Sequence, residues 1–400
     1  FIVARLRETG VLTIPEYYNL RFGKSTRVLG GVVLVLAGVL NMGLFLKVGA
    51  MFIAGMIGVP ASSIGVAIIM VILLVLVLGY TMMGGMMSVI ITDYLQFVLL
   101  SLGFLVTTGL AIWQLGLGRI FSTISIEMGE AGFNPFISTG EFGLSYVVWM
   151  IFTAGLVSCA IWPTAVARAL TTDSPETTKK QYRWASLSFL VRFMVPYFWG
   201  ICAFVFFKTI GQGLWTQSLT PIMALPAYLS QLLPIGLTGL LMAAMIAAFM
   251  STHDSYLLCW SAVIVQDIIA PLKKGGLDDA KRIQYTRWGI LGIGVWILYW
   301  GLVYPGGDAI WDYMAVTGAI YFTGAFSVLV GGLYWKRASR VGANAALVSG
   351  LVAIVGLAPA QHLLGVSWGS AKVGLVTVCL SILAMIIGSL VWPDLKESAL

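Results

Sequence analysis

Residues 235–255 read IGLTGLLMAAMIAAFM-STHDS, from Ile235 to Ser255. Between Ile235 and Met250 the only polar side chain is Thr238, and then Ser251, Thr252, His253, Asp254 and Ser255 follow without a gap. An apolar run of this length points to a helix in lipid, and a polar group inside such a run is by default a functional one. Ala248, Ser251, Thr252 and Ser255 follow the i, i+3, i+4, i+7 spacing and share one helix face, with Asp254 at its edge. Hydroxyl, carboxylate and carbonyl oxygens are the ligands that a small hard cation needs. The alternative is a polar seam, since Ser and Thr commonly join membrane helices.

The whole chain has this character. Of 400 residues, 59% are hydrophobic and 10% are charged, and the mean hydropathy is +0.96. A soluble domain carries about 25% charge, so a water-soluble fold and intrinsic disorder are both excluded. Long unbroken runs argue against a barrel of short alternating strands. Ten candidate spans follow: 27–57, 61–83, 87–117, 143–168, 184–207, 235–266, 286–304, 309–335, 342–360 and 372–393. Residues 1–6 read as the tail of an earlier span, and a start at Phe1 without Met predicts that a segment upstream is missing. Gly84-Gly85 is expected to join two spans almost without a loop.

The net charge of +7 does not imply nucleic acid, because eighteen Lys and Arg fall in connections on one side and three on the other. That split is the positive-inside pattern and predicts an inner (plasma) membrane protein with both chain ends cytoplasmic. Cys159, Cys202, Cys259 and Cys379 lie in apolar runs with no paired spacing, so neither a disulfide framework nor a zinc site is expected. No nucleotide-binding or other soluble domain is present, and no enzyme activity is predicted.

Three further ionisable or irregular positions stand out. Asp93, in Ile91-Thr-Asp-Tyr-Leu-Gln96, lies eight residues past Gly85, about 12 Å along a helix. Asp254 lies twelve residues before Gln266, about 18 Å by the same rise. The two carboxylates therefore share the cytoplasmic half of the membrane and are expected to bind one cation between 87–117 and 235–266. The alternatives are that Asp93 meets interfacial water and that Asp254 pairs elsewhere. Lys47, twenty residues into 27–57, needs a carboxylate, a carbonyl or an anionic ligand; a substrate role and an internal partner are both open. Gly155-Leu-Val-Ser158-Cys159-Ala-Ile-Trp162-Pro163 breaks 143–168, either as a simple proline kink or as unwound backbone lining a cavity.

Four stretches together resemble the sodium:solute symporter family. Thr13-Ile-Pro-Glu-Tyr-Tyr18 with Arg21-Phe22 is similar to its cytoplasmic segment before a span. Gly84-Gly-Met-Met-Ser-Val89 with Thr92-Asp93 and Gln96 resembles its glycine-pair and Thr-Asp pattern. Ala247-Ala-Phe-Met-Ser-Thr252 resembles its sodium motif. Pro163-Thr-Ala-Val-Ala-Arg168 resembles a helix end of the family, with Trp162 where Gln is frequent. The resemblance implies an all-α polytopic membrane protein with a LeuT-like inverted-repeat helix bundle. It forms one transporter domain over 1–400, with a first-repeat remainder at 1–118, a second repeat at about 141–336 and extra helices at 342–393. It implies that the first broken helix, which supplies the other half of the principal sodium site, lies upstream of residue 1. Sodium is the implied coupling ion, with no other cofactor. Ala248 by its carbonyl, Ser251 and Thr252 match the principal site. Asp93, Ser251, Asp254 and Ser255 match a second cation site, where Asp254 departs from the usual hydroxyl. Lys47, Gly155, Ser158, Cys159 and Trp162 are the expected substrate-pocket residues and Pro163 the helix break. The expected function is sodium-coupled symport of a small-molecule or anionic solute across the lipid bilayer. A symporter-like sensory domain of a signalling protein is the alternative, and a passive channel lacks any filter motif.

Overall fold

Hydrocarbon offers no water to backbone N–H and C=O groups, so apolar runs of this length satisfy themselves as helices. The computed structural model describes residues 1–61, 63–139, 143–214, 220–304 and 310–394, with only the backbone at 83–92, 152–154 and 156. No strand occurs among the described residues. Eight helical stretches there are long and apolar enough to cross a membrane, and a bent pair makes a ninth.

Two short helices, α1 (Ile2–Glu8) and α2 (Ile14–Phe22), precede the first span. Thr13 starts α2 by accepting a hydrogen bond from Glu16 N (3.1 Å), while the Glu16 carboxylate accepts one from Leu12 N (2.8 Å). This is a capping box displaced by one residue. The first span is α3 (Lys24–Met42) followed by α4 (Phe45–Ile57). Helix α5 (Ile64–Leu115) holds the next two spanning stretches, Ile64–Met82 and Asp93–Leu115. The expected join at Gly84-Gly85 falls among the residues whose side chains are not described. Helix α6 (Leu117–Met128) follows.

The candidate span 143–168 is broken. It consists of α7 (Leu144–Val147), a π-helical stretch Val148–Val157, α8 (Ser158–Ile161) and α9 (Pro163–Leu170). Trp162, between the last two, is extended (φ −65°, ψ 118°). A residue before proline is driven out of the helical region, and Pro163 then suits the first position of a new helix. Helix α10 (Pro175–Lys208), the short α11 (Ala224–Leu232) and α12 (Ile235–Val263) come next. The α11 segment is not merely superficial, because Tyr228 and Leu229 are fully buried against a cluster that includes Trp199 and Phe206. Helix α12 continues into a π-helical stretch, Ile264–Ile269, and a turn of helix, α13 (Ala270–Leu272).

Helices α14 (Asp279–Val303), α15 (Ile310–Tyr334), α16 (Arg340–Gly350), α17 (Ala358–Leu364) and α18 (Ser370–Val391) complete the bundle. The expected span 342–360 is not straight. After α16 the chain tightens to a 3-10 helix at Leu351–Gly356 and turns by 83° before α17. Leu357 is extended there, and Pro359, which has no N–H for the preceding ladder, sits in the first turn of the new helix.

Helix α15 is the centre of the core, with 83% of its most apolar window buried. Small residues let its neighbours approach closely. A Cβ on Gly324 would lie 2.5 Å from the Ala346 carbonyl oxygen of α16, and one on Gly388 of α18 would lie 2.6 Å from Gly342 Cα. Helix α16 therefore packs directly on α15, and α18 directly on α16.

The motif at α2 is explained by long-range contacts. Arg21 donates to the Lys336 (3.2 Å) and Ala338 (3.1 Å) carbonyls. Thr13 donates to Asp267 (3.2 Å), which also binds Arg27 at 2.9 Å. Asp267 is fully buried in the π-helical stretch after α12, so this cluster ties α2 and α3 to the end of α12.

Candidate functional site

Residues 248–255 lie within unbroken α12, so the polar stretch does not itself break the helix. The Ala248 carbonyl accepts hydrogen bonds from Ser251 (3.0 Å) and Thr252 (2.9 Å). Such back-bonding is usual for Ser and Thr inside helices. Here it gathers three oxygens within one turn. Thr252 is exposed and Ser251 half-buried, so this oxygen face is open for further ligands. His253 faces the other way. It is buried, bonded to the Phe249 carbonyl (2.9 Å) and packed against the Phe249 and Phe45 rings.

One turn further, Ser255 and Asp93 meet through a residue that the sequence reading assigned to a cytoplasmic connection. Arg168, in the last turn of α9, donates to Asp93 Oδ2 (3.0 Å) and Ser255 Oγ (2.8 Å) from one nitrogen. A guanidinium thus stands between two of the residues expected to hold a second cation. Asp254 is fully buried, with the Ser255 backbone N–H and hydroxyl as the donors nearest its carboxylate. Asp93 and Arg168 are within electrostatic reach of it.

At the helix break, Trp162 donates to Tyr256 Oη (2.8 Å) and sets its ring against Trp260 and Phe322, at centroid distances of 5.4 and 5.1 Å. The break is thereby sealed against α12 and α15 by aromatic packing. Ser158 donates to the Gly155 carbonyl (2.9 Å), and the Cys159 carbonyl accepts from Tyr182 (3.0 Å), while the Cys159 residue is exposed. A Cβ on Gly155 would lie 3.0 Å from the Met150 carbonyl oxygen, so the π-helical backbone there is tight.

Lys47 is placed apart from this group. Its ammonium donates to the Tyr304 carbonyl (2.8 Å) at the C-terminal end of α14. Its Cβ packs 3.6 Å from the Cβ position of Gly301. No described hydrogen bond or ring contact joins it to Gly155, Ser158, Cys159 or Trp162. A cation on a helix C-terminus is favourable in its own right. We therefore expect Lys47→Met to cost about 1 kcal/mol or more of stability. A detergent melting curve of the full-length variant measures that loss.

The sequence reading missed Arg168 and the Arg27–Asp267 pair. Asp267 lies one residue beyond the span drawn at 235–266, so it counted as loop. The signal was present, since an acid so close to the end of an apolar run needs a partner.

A broken span beside a helix that carries an oxygen face is an arrangement that secondary transporters use. The sequence profile of the sodium:solute symporter family matches residues 1–350, and the chain belongs to that family. A sodium/glucose cotransporter of Vibrio parahaemolyticus is 25% identical over 371 residues, covering 86% of this chain and 66% of that protein. A sodium/pantothenate symporter of Haemophilus influenzae is 24% identical, covering 86% and 68%. A sodium/sialic acid symporter, NanT, of Aliivibrio fischeri is 25% identical, covering 89% and 69%. The chain thus spans about two thirds of the length of these bacterial relatives. The solved substrate-bound, outward-open structure of a Na+-coupled sialic acid symporter superposes with a TM-score of 0.77 at 21% identity, over 98% of this chain and 80% of that one. The fold is accordingly the LeuT-like bundle that the motifs imply.

Proposed function

We propose that the protein containing this chain is a sodium-coupled symporter of a small solute, working by alternating access and catalysing no covalent chemistry. The observation that carries this is the oxygen face of α12, where Ser251 and Thr252 gather on the Ala248 carbonyl beside the broken span. Ala248, Ser251 and Thr252 are its principal sodium ligands. The sensory alternative has no feature in the bundle to favour it. The two repeats occupy 1–118 and about 141–336, with 342–393 as additional helices. The protein lies in the inner (plasma) membrane with both ends of this chain on the cytoplasmic side, as its eighteen-to-three division of cations supports.

The second cation site comprises Asp93, Ser251, Asp254 and Ser255, and a cation there must displace the Arg168 guanidinium that stands between Asp93 and Ser255. Gly155, Ser158, Cys159 and Trp162 line the solute path at the helix break. Lys47 serves an anionic solute only if it leaves the Tyr304 carbonyl, to which it is bonded here.

Sodium is expected to raise the melting temperature of the full-length protein, and potassium and choline are not. A ligand bound only by the folded state stabilises it by RT ln(1 + [L]/Kd), about 2.7 kcal/mol at a hundredfold excess over Kd. Equal shifts in all three salts would contradict the reading. Repeating the melt with candidate sugars, carboxylates and vitamins in sodium identifies the solute class.

A further inference from the structure

We propose that the cytoplasmic end of α10 binds the phosphate headgroup of an anionic phospholipid through Lys179, Lys180 and Arg183. Glu176, these three cations, Trp184 and Leu187 form one open patch on this end of the helix. Their spacing of three, one, three, one and three residues places all six on one helix face. The four described ion pairs, Arg27–Asp267, Arg168–Asp93, Lys208–Glu127 and Lys281–Asp278, involve none of the three cations. Glu176 is the one acid in the lining, so the face keeps a net charge of two positives.

The same face continues as bare hydrocarbon. Trp184 is 68% exposed, Leu187 61% and Met194 63%, with Leu190 and Val191 exposed beside them. Eleven residues separate Arg183 from Met194, which is about 16 Å of helix and close to the depth of one leaflet. Trp184 lies at the change from charge to hydrocarbon, the position that aromatic rings favour at a membrane surface. A headgroup on the cations and an acyl chain along Leu187, Val191 and Met194 match this order. The cytoplasmic leaflet is the one that presents anionic headgroups to such a cluster. The inference rests on the orientation proposed above and is independent of the sodium ligands.

The test is native mass spectrometry of the full-length protein from micelles holding equal phosphatidylglycerol and phosphatidylcholine. Wild type is expected to retain phosphatidylglycerol about tenfold over phosphatidylcholine. The combined Lys179→Gln, Lys180→Gln and Arg183→Gln variant is expected to retain both alike. Glu176→Gln removes the opposing charge and is expected to increase the preference, which keeps the test decisive if the triple variant fails to fold. Excess inorganic phosphate is expected to leave the bound lipid in place. Equal retention of the two lipids by wild type, an unchanged preference in the triple variant, or displacement by inorganic phosphate would each overturn the proposal. Sodium-dependent melting of the same samples is expected to be unaltered, so failure here is separable from failure of the symporter reading.

Discussion

Ser251→Ala is expected to weaken sodium binding by about ten- to a hundredfold while leaving the helix intact. The Ser251 hydroxyl makes one described bond, to the Ala248 carbonyl of its own helix, so no distant contact depends on it. Alanine is the best helix former, and the backbone should not respond. What is lost is an oxygen facing a cation, worth about 1.5–3 kcal/mol. The same variant is expected to weaken the proposed second cation site as well, since Ser251 is assigned to both. Thr252→Val keeps the branched shape and removes the other hydroxyl, and an effect of similar size is expected. Sodium titration of the melting temperature, or of solute uptake into proteoliposomes, reads both. A loss of folding at saturating sodium would instead mark the seam as a structural joint between helices.

Arg27→Ala is expected to cause the largest loss of stability of any single change considered. Asp267 is fully buried, and one of its oxygens holds Arg27 and Thr13 while the other has no partner among the described residues. Removing the arginine leaves a buried carboxylate without its cation, a change that typically costs about 3–5 kcal/mol. Arg27 also donates to the Gln266 carbonyl (3.1 Å), within the π-helical stretch where backbone pairing is already irregular. The loss should appear as a lower melting temperature at every sodium concentration, unlike the effect of Ser251→Ala. The double variant Arg27→Met with Asp267→Leu should recover much of it, because replacing a buried pair by apolar groups is often neutral. A melting temperature unchanged in Arg27→Ala would show that the cluster holds nothing together.

The spans were legible because their signal is local. A run such as 309–335 states its own helix, and Pro163 states its own break. The Ala248, Ser251 and Thr252 face was legible because three residues on one helical turn meet whatever the rest of the bundle does. Contacts between distant segments were not legible in the same way. Arg168 and Asp93 are 75 residues apart, and Arg27 and Asp267 are 240 apart. Arg27 and Arg168 stand at the ends of their candidate spans and were counted only as cations of one side, and only the folded bundle brings each to its acid. Lys47 shows the limit from the other side. Its need for a partner could be read from its depth, but the carbonyl that meets the need lies 257 residues away at Tyr304. The 83° turn before α17 was missed because 342–360 carries no charged residue, and Pro359 was counted within the span.

The central claim is that the oxygen face of α12 binds sodium. Equilibrium binding of radioactive sodium to the purified full-length protein, in wild type and Ser251→Ala, tests it most directly. The account predicts saturable binding that unlabelled sodium displaces and potassium does not, weakened about tenfold or more by the substitution. Binding that does not saturate, that potassium displaces equally, or that Ser251→Ala leaves unchanged would contradict it.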